Sequence, residues 1–173
     1  MIFNPFLSFF RAISLAIAGR VHFPRRRAGE IISRENGHEF KIFRQVIIDP
    51  GKGQPPVPGA IFHVHFRITS ITPQQNRVFS LIPIPFIIGL PGFRSKLWIV
   101  DGQTGDYQGI YQWDSIEHAK KYAASVAMRF MMMRAVKGSV WYRISPAKKA
   151  EGAWNQAPPT VGGEPQSVMP SES

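Results

Sequence analysis

His63 and His65 stand two residues apart in the segment AIFHVHFRIT, with Arg67 two residues further on. In a strand that spacing puts all three side chains on one face. Imidazole suits proton transfer near neutral pH because its unperturbed pKa, about 6.5, lies close by. Further along, FRSKLWIVD brings Arg94, Lys96 and Trp98 to one strand face, and YQGIYQW does the same for Tyr107, Gly109, Tyr111 and Trp113. A cation among aromatic faces stabilises negative charge developing on the oxygen of an enol or phenol. These types and spacings point to His65 as general acid or base, with Lys96 and Arg67 as charge stabilisers. His63, Trp98, Tyr111, Trp113 and Tyr122 would enclose a small hydrophobic or aromatic ligand. Plain readings compete with each: aromatic residues on central strands fill cores, and strand histidines also serve as hydrogen-bonded structural groups.

Two histidines do not complete a metal site, which wants a third protein ligand, and no carboxylate stands beside this pair. His118 and His22 are candidates to supply one, at distances the sequence leaves open. Neither metal nor other cofactor is expected. The chain has no cysteine, so thiol catalysis, disulfides and zinc–thiolate sites are out. Phosphate loops, dinucleotide fingerprints, nucleophile elbows and paired-carboxylate sites are all missing.

The elements that must position these residues read in order. AIFHVHFRIT is a strand, and TPQQNRVFSL is a helix candidate broken near Pro83. An apolar stretch over 80–92, laid on the sheet as a loop or half-helix, leads to FRSKLWIVD. The turn GQTGD reverses the chain into YQGIYQW. Ser115 caps one long helix, SIEHAKKYAASVAMRFMMMRA, whose Ala119, Tyr122, Ala123, Val126, Phe130 and Met133 recur at helical spacing. SVWYRI is the last strand. The succession β-α-β-β-α-β defines an α+β, ferredoxin-like antiparallel sheet with two helices on one face. Two subunits commonly cover each other's bare faces, so a homodimer is expected.

Flanking segments complete the plan: 1–29 an apolar helix and basic segment, 30–49 a β-hairpin, 50–59 a linker, 60–145 the ferredoxin-like domain, and 146–173 a disordered tail rich in Pro, Gly, Ser and Gln. Arg34-Glu35-Asn36-Gly37 is the hairpin turn, since Asn-Gly tolerates positive φ. Asn4 before Pro5 starts the first helix, and Gly19 is a plausible stop. Phe6, Leu7, Phe10, Ile13 and Ile17 share one face of it. About 14 residues would span only ~21 Å, short of a hydrocarbon core. The helix therefore packs on the domain, lies in a membrane interface, or forms a short or oligomeric transmembrane anchor.

Lys and Arg number 21 against 11 Asp and Glu, a formal +10. Half of that excess comes from Arg11, Arg20, Arg25, Arg26 and Arg27, with no acidic residue before Ala28. Such a cluster attracts anionic lipid, making 1–27 a candidate contact with a membrane surface. Nucleic acid is the other polyanion, but no helix-turn-helix, zinc finger or stacking platform is present, and no specific nucleic-acid partner is expected. The expected location is cytoplasmic, peripheral to the membrane.

The run PGFRSKLWIVDGQTGDYQGIYQWDSIEHAKKYAAS resembles the dimeric α/β-barrel superfamily, specifically its antibiotic-biosynthesis-monooxygenase-like and YdhR-like members. The resemblance rests on Pro91-Gly92-Phe93 before a strand with Ser95, Lys96 and Trp98. Gly109-Ile110-Tyr111-x-Trp113 follows, then a capped helix with Glu117, Ala119 and Tyr122. It spans roughly residues 60–144 and implies a pocket between sheet and helices. It also implies one of several activities: cofactor-independent oxygenation of aromatic or polyketide-like substrates, haem degradation or haem binding, or isomerisation. No fixed catalytic motif carries over. The leading expectation is a cofactor-independent monooxygenase. The alternatives are a non-enzymatic peripheral membrane protein that binds a lipid or hydrophobic metabolite, and a haem protein.

Overall fold

The computed structural model describes residues 4–33, 39–68, 72, 75, 78–147 and 166–167. Its elements are α1 (Pro5–Ile17), β1 (Val21–His22), β2 (Ile31–Ser33), β3 (Glu39–Ile48), β4 (Ala60–Phe66) and α2 (Ile84–Ile88). They continue with β5 (Phe93–Asp101), β6 (Tyr107–Trp113), α3 (Ile116–Ala123), α4 (Val126–Arg134), β7 (Trp141–Pro146) and β8 (Gln166–Ser167). One antiparallel sheet runs β1-β3-β5-β6-β4-β7-β8, with β2 also paired to β3. Its inner four strands, β5-β6-β4-β7, have the expected ferredoxin-like succession.

The 30–49 segment is more than an appended hairpin. Ile31 to Ser33 pair with Lys41 to Glu39 as an antiparallel ribbon, while the expected turn at 34–37 lies outside the described residues. The second strand then pairs along its length with β5, from Phe40↔Asp101 to Ile47↔Ser95, across one irregularity between Ile42 and Arg44. The reason is an edge. β5 is buried on both faces and would expose unpaired N–H and C=O groups if it ended the sheet, so β3 takes that place. Residues 50–59 run between β3 and β4 as turns and irregular backbone. At the far end, Gln166–Ser167 pairs with Trp141–Tyr142, placing two residues of the expected tail in the sheet. The tail's positions 148–165 and 168–173 lie outside the described residues.

The expected single long helix is two. Ala124 closes α3, and Ser125, extended and buried, accepts a hydrogen bond from Met128 N–H to start α4. A serine whose side chain satisfies a free helical N–H competes with helix continuation at that point. Pro83 restarts the chain as the five-residue α2, whose Ile84, Ile87 and Ile88 are buried, much as the half-helix expectation required. The expected helix start near Pro73 lies outside the described residues.

Alternation along the strands divides the core in two. On the helix side, Phe62, Val64, Trp98, Tyr111, Trp113 and Val46 join Ile84, Ile87, Ala119, Tyr122 and Met128. On the other side, Phe40, Ile42, Leu97 and Ile99 form a smaller cluster. Helix α1 packs on α2 through its small face, with Ser8, Ala12 and Leu15 buried. Gly89 makes that approach available: a Cβ there would lie 1.7 Å from the Ser8 carbonyl oxygen. Its φ of −81° suits any residue, so proximity alone demands glycine. We expect Gly89→Ala to destabilise the protein by about 1–3 kcal/mol in urea unfolding, as overpacking does. An unchanged midpoint would show that α1 is not seated there.

Candidate active site: a buried lysine between sheet and helices

Lys96 and Trp98 project from β5 toward the helices, and the register sets Lys96 opposite Tyr111 and Trp98 opposite Gly109. Lys96 Nζ lies 4.2 Å from the Trp98 ring centroid and 4.4 Å from that of Tyr111. The side chain is buried, and no carboxylate among the described residues forms an ion pair with it. Loss of water pushes the Lys96 ammonium well below the ordinary lysine range, and the positive charge of Arg44 pushes the same way. Arg44 is held by Ser80, its Nη1 donating to Oγ at 2.5 Å. Burial at this position therefore favours the neutral amine over the ammonium.

The wall beside it is aromatic. Tyr122, from α3, donates its hydroxyl proton to the Tyr111 oxygen at 2.9 Å. Both phenols are fully buried, which raises each above its usual pKa. Phe62 meets both rings edge-on at 5.5 and 5.1 Å. Gly109 leaves room for the Tyr111 ring, whose Cε2 would stand 2.7 Å from an added Cβ. The glycine thus serves packing.

Lys96, Trp98, Tyr111 and Tyr122 line one cavity with Phe66, Ile87, Phe130, Met131 and Arg134. Its volume is about 50 Å³, enough for a few water-sized groups. A second, almost wholly apolar cavity of about 190 Å³ lies among α1, α2 and α4, and Pro83, Ala127 and Phe130 line both. A bicyclic guest that reached Lys96 would need both spaces.

The remaining expected site residues stand elsewhere. His63, His65 and Arg67 point away from the helices, because β4 turns Phe62, Val64 and Phe66 into that core and alternate residues face opposite sides. His63 Nε2 donates to Gln108 Oε1 at 2.8 Å. His65 stacks on Trp141 at 5.4 Å, with Nε2 3.2 Å from Asp106 Oδ2. Arg67 reaches the same carboxylate through Nε at 2.7 Å and Nη2 at 3.0 Å, and this hydrogen bonding holds Asp106 below the usual carboxylate range. His65 and Arg67 are therefore not partners of Lys96 in one pocket. They form an ion cluster on the far face, and His63 does not enclose the cavity. Trp113 shares the Lys96 face but lies behind it, buried against Phe93 and Tyr122 and outside the cavity lining. No histidine lines either cavity, and no group of three potential metal ligands occurs among the described residues.

Arg44, Phe130 and Arg134 are site residues that sequence reading missed. Arg44 arrives because β3 pairs with β5, which the sequence did not announce. Arg134 and Phe130 sit on α4, whose direction depends on the break at Ser125.

The fold and this geometry define a ferredoxin-like α+β protein with its cavity between sheet and helices. No known protein family's sequence profile matches the chain, and no curated protein matches it. Solved structures do. An uncharacterised ferredoxin-fold protein related to antibiotic biosynthesis monooxygenases, from Listeria monocytogenes, has a TM-score of 0.50 at 10% identity. That match covers 73% of this chain and 91% of the other. A monooxygenase-like protein from Listeria innocua has a TM-score of 0.49 at 11% identity, over 68% of each chain. A haem-degrading enzyme from Listeria monocytogenes has a TM-score of 0.45 at 14% identity, covering 64% of this chain and 72% of its own. At such identities the likeness is one of fold, and the ferredoxin-like fold is the one expected for residues 60–145.

Burial of Lys96 has a measurable consequence. Lysine in an unfolded chain titrates near ~10.4. Folding lowers that value here, so between the two pKa values the unfolded chain binds more protons and stability rises with pH. Lys96→Met should accordingly be more stable than the parent at neutral pH, with the difference shrinking toward pH ~10. Urea midpoints measured across that range check this; a constant difference would mean that Lys96 is not desolvated.

Proposed function

We propose that the chain is a small-molecule enzyme that acts on an enolisable or phenolic aromatic, with Lys96 as the base. The observation that carries this reading is the position of Lys96 Nζ, buried between two aromatic rings and facing a cavity without a carboxylate. A guest hydroxyl gives its proton to the neutral amine, leaving an enolate or phenolate beside the ammonium just formed. Charge in a site of low polarity is stabilised strongly by such a fixed partner. The anion is electron-rich enough to react with molecular oxygen, as in a cofactor-independent monooxygenase. A ring CH₂ becomes C=O, one oxygen atom enters the product, and the other leaves as water. The substrate supplies the four electrons.

Adaptable Met131 and the shared Phe130 suit a cavity that enlarges around its guest toward α1. Homodimerisation through the sheet face away from α2, α3 and α4 belongs to the same reading, supported by the one-sided placement of those helices. The haem alternative has less support, since His63 and His65 stand outside both cavities.

Two measurements test the proposal. The protein should bind 1-naphthol about tenfold or more tightly than naphthalene, the margin of one charge-assisted hydrogen bond. Lys96→Met should erase that preference, and His65→Ala should leave it. Oxygen uptake with an enolisable polycyclic ketone, in the presence of a chelator, should fall at least ~100-fold in Lys96→Met, the size of a general-base contribution. Equal affinity for the two naphthalenes in the parent would remove Lys96 from the site.

A further inference from the structure

Helix α1 is amphipathic in the reverse sense to a helix that covers a core. Its small or single large residues, Ser8, Ala12 and Leu15, face the domain. On the opposite side, at 100° per residue, stand Phe6, Phe10, Ile13 and Ile17. Phe6 is 75% exposed, Phe10 66% and Ile17 83%. Placement here is fixed rather than accidental, because Gly89 lets the α1 backbone close onto α2, and Asn4 caps the helix through Phe6 N–H and Leu7 N–H. The apolar surface continues beyond the helix. Phe9 packs on Phe86 at 5.8 Å, and Ile82 and Val126 are half exposed around the mouth of the 190 Å³ cavity. Contiguous exposed apolar area of this extent marks a surface that something covers.

Charge selects the occupant. Arg11 is the sole charged residue of α1, and residues 4–29 contain five arginines and no carboxylate. Arg20 and Arg27 are engaged with the Asp49 carbonyl and with Glu30, while Arg25 and Arg26 are exposed. A second copy on this face would set the arginine clusters of two chains of formal charge +10 against each other. An anionic bilayer suits both the exposed apolar face and the arginine excess of residues 4–29. The helix is 13 residues long, and no helix among the described residues is long and apolar enough to cross a membrane. It would lie flat.

We infer that α1, with the rim formed by Ile82, Phe86 and Val126, docks the protein on an anionic lipid bilayer. This is independent of the chemistry assigned to Lys96. The cavity beside α1 then opens at the lipid surface, where an apolar guest is concentrated.

Co-sedimentation of the full chain with vesicles of phosphatidylcholine and phosphatidylglycerol in equal parts tests it. The parent should partition into the pellet, and Phe6→Gln/Phe10→Gln/Ile17→Gln should bind at least ~10-fold less. Glutamine keeps helix propensity and net charge, and the exposed positions should leave the thermal melt unchanged. Arg25→Gln/Arg26→Gln should weaken binding as well, with a shallower salt dependence. Unchanged binding in the triple variant, or equal binding of the parent to pure phosphatidylcholine, would overturn the inference. So would a lipid-free dimer, seen by sedimentation equilibrium, that the triple variant converts to monomer while no form binds vesicles; that face would then belong to a second copy.

Discussion

Keeping an ammonium out of water without a carboxylate beside it is the constraint around which the rest of the structure is arranged. Burying an unpaired charge costs far more than burying an amine. The protein meets that cost by leaving Lys96 ready to lose its proton and by offering the faces of Trp98 and Tyr111 when it regains one. Arg44 raises the tension further, because a second cation nearby disfavours the charged lysine. A core that needed only stability would place an apolar side chain here. The buried lysine without a carboxylate beside it is the observation on which the proposed function rests.

The sheet supplies the geometry. Pairing of β5 with β6 sets Lys96 across from Tyr111, and pairing with β3 brings Arg44 to the same side. Helix α3 contributes Tyr122 to close the wall, and the break at Ser125 redirects α4 so that Phe130, Met131 and Arg134 roof the cavity. The same alternation that gathers these groups sends His63, His65 and Arg67 to the far side, where Asp106 satisfies two of them. The two faces of the sheet therefore carry different groups: a desolvated lysine on one, side chains gathered on Asp106 on the other.

Local patterns in the sequence foretold much of this. Alternation in 60–69, 93–101 and 107–113 gave the strands, and the β-α-β-β-α-β order gave the sheet's inner succession. Lys96, Trp98 and Tyr111 could be placed together because each lies on a short strand with an unambiguous period. What stayed hidden depended on relations between strands. Which face of β4 meets the helices is decided by Phe62 and Val64 joining the larger core, so the histidine row, plausible by type, went to the wrong side. The residues 30–49 showed a ribbon but not its second partner, since the need came from the edge of β5. Likewise, Phe6, Phe10, Ile13 and Ile17 share a face as read, yet that face turns outward because Ser8 and Gly89 allow a closer seat for the opposite one.

The protonation of one nitrogen tests the account most directly. With ¹³C-labelled lysine and Lys96→Met to assign the signal, the Lys96 Cε resonance can be followed through a pH titration, with and without 1-naphthol. Lys96 should titrate well below the other lysines in the free protein and shift upward when the naphthol binds. A Lys96 that titrates with the surface lysines and ignores the naphthol would contradict it.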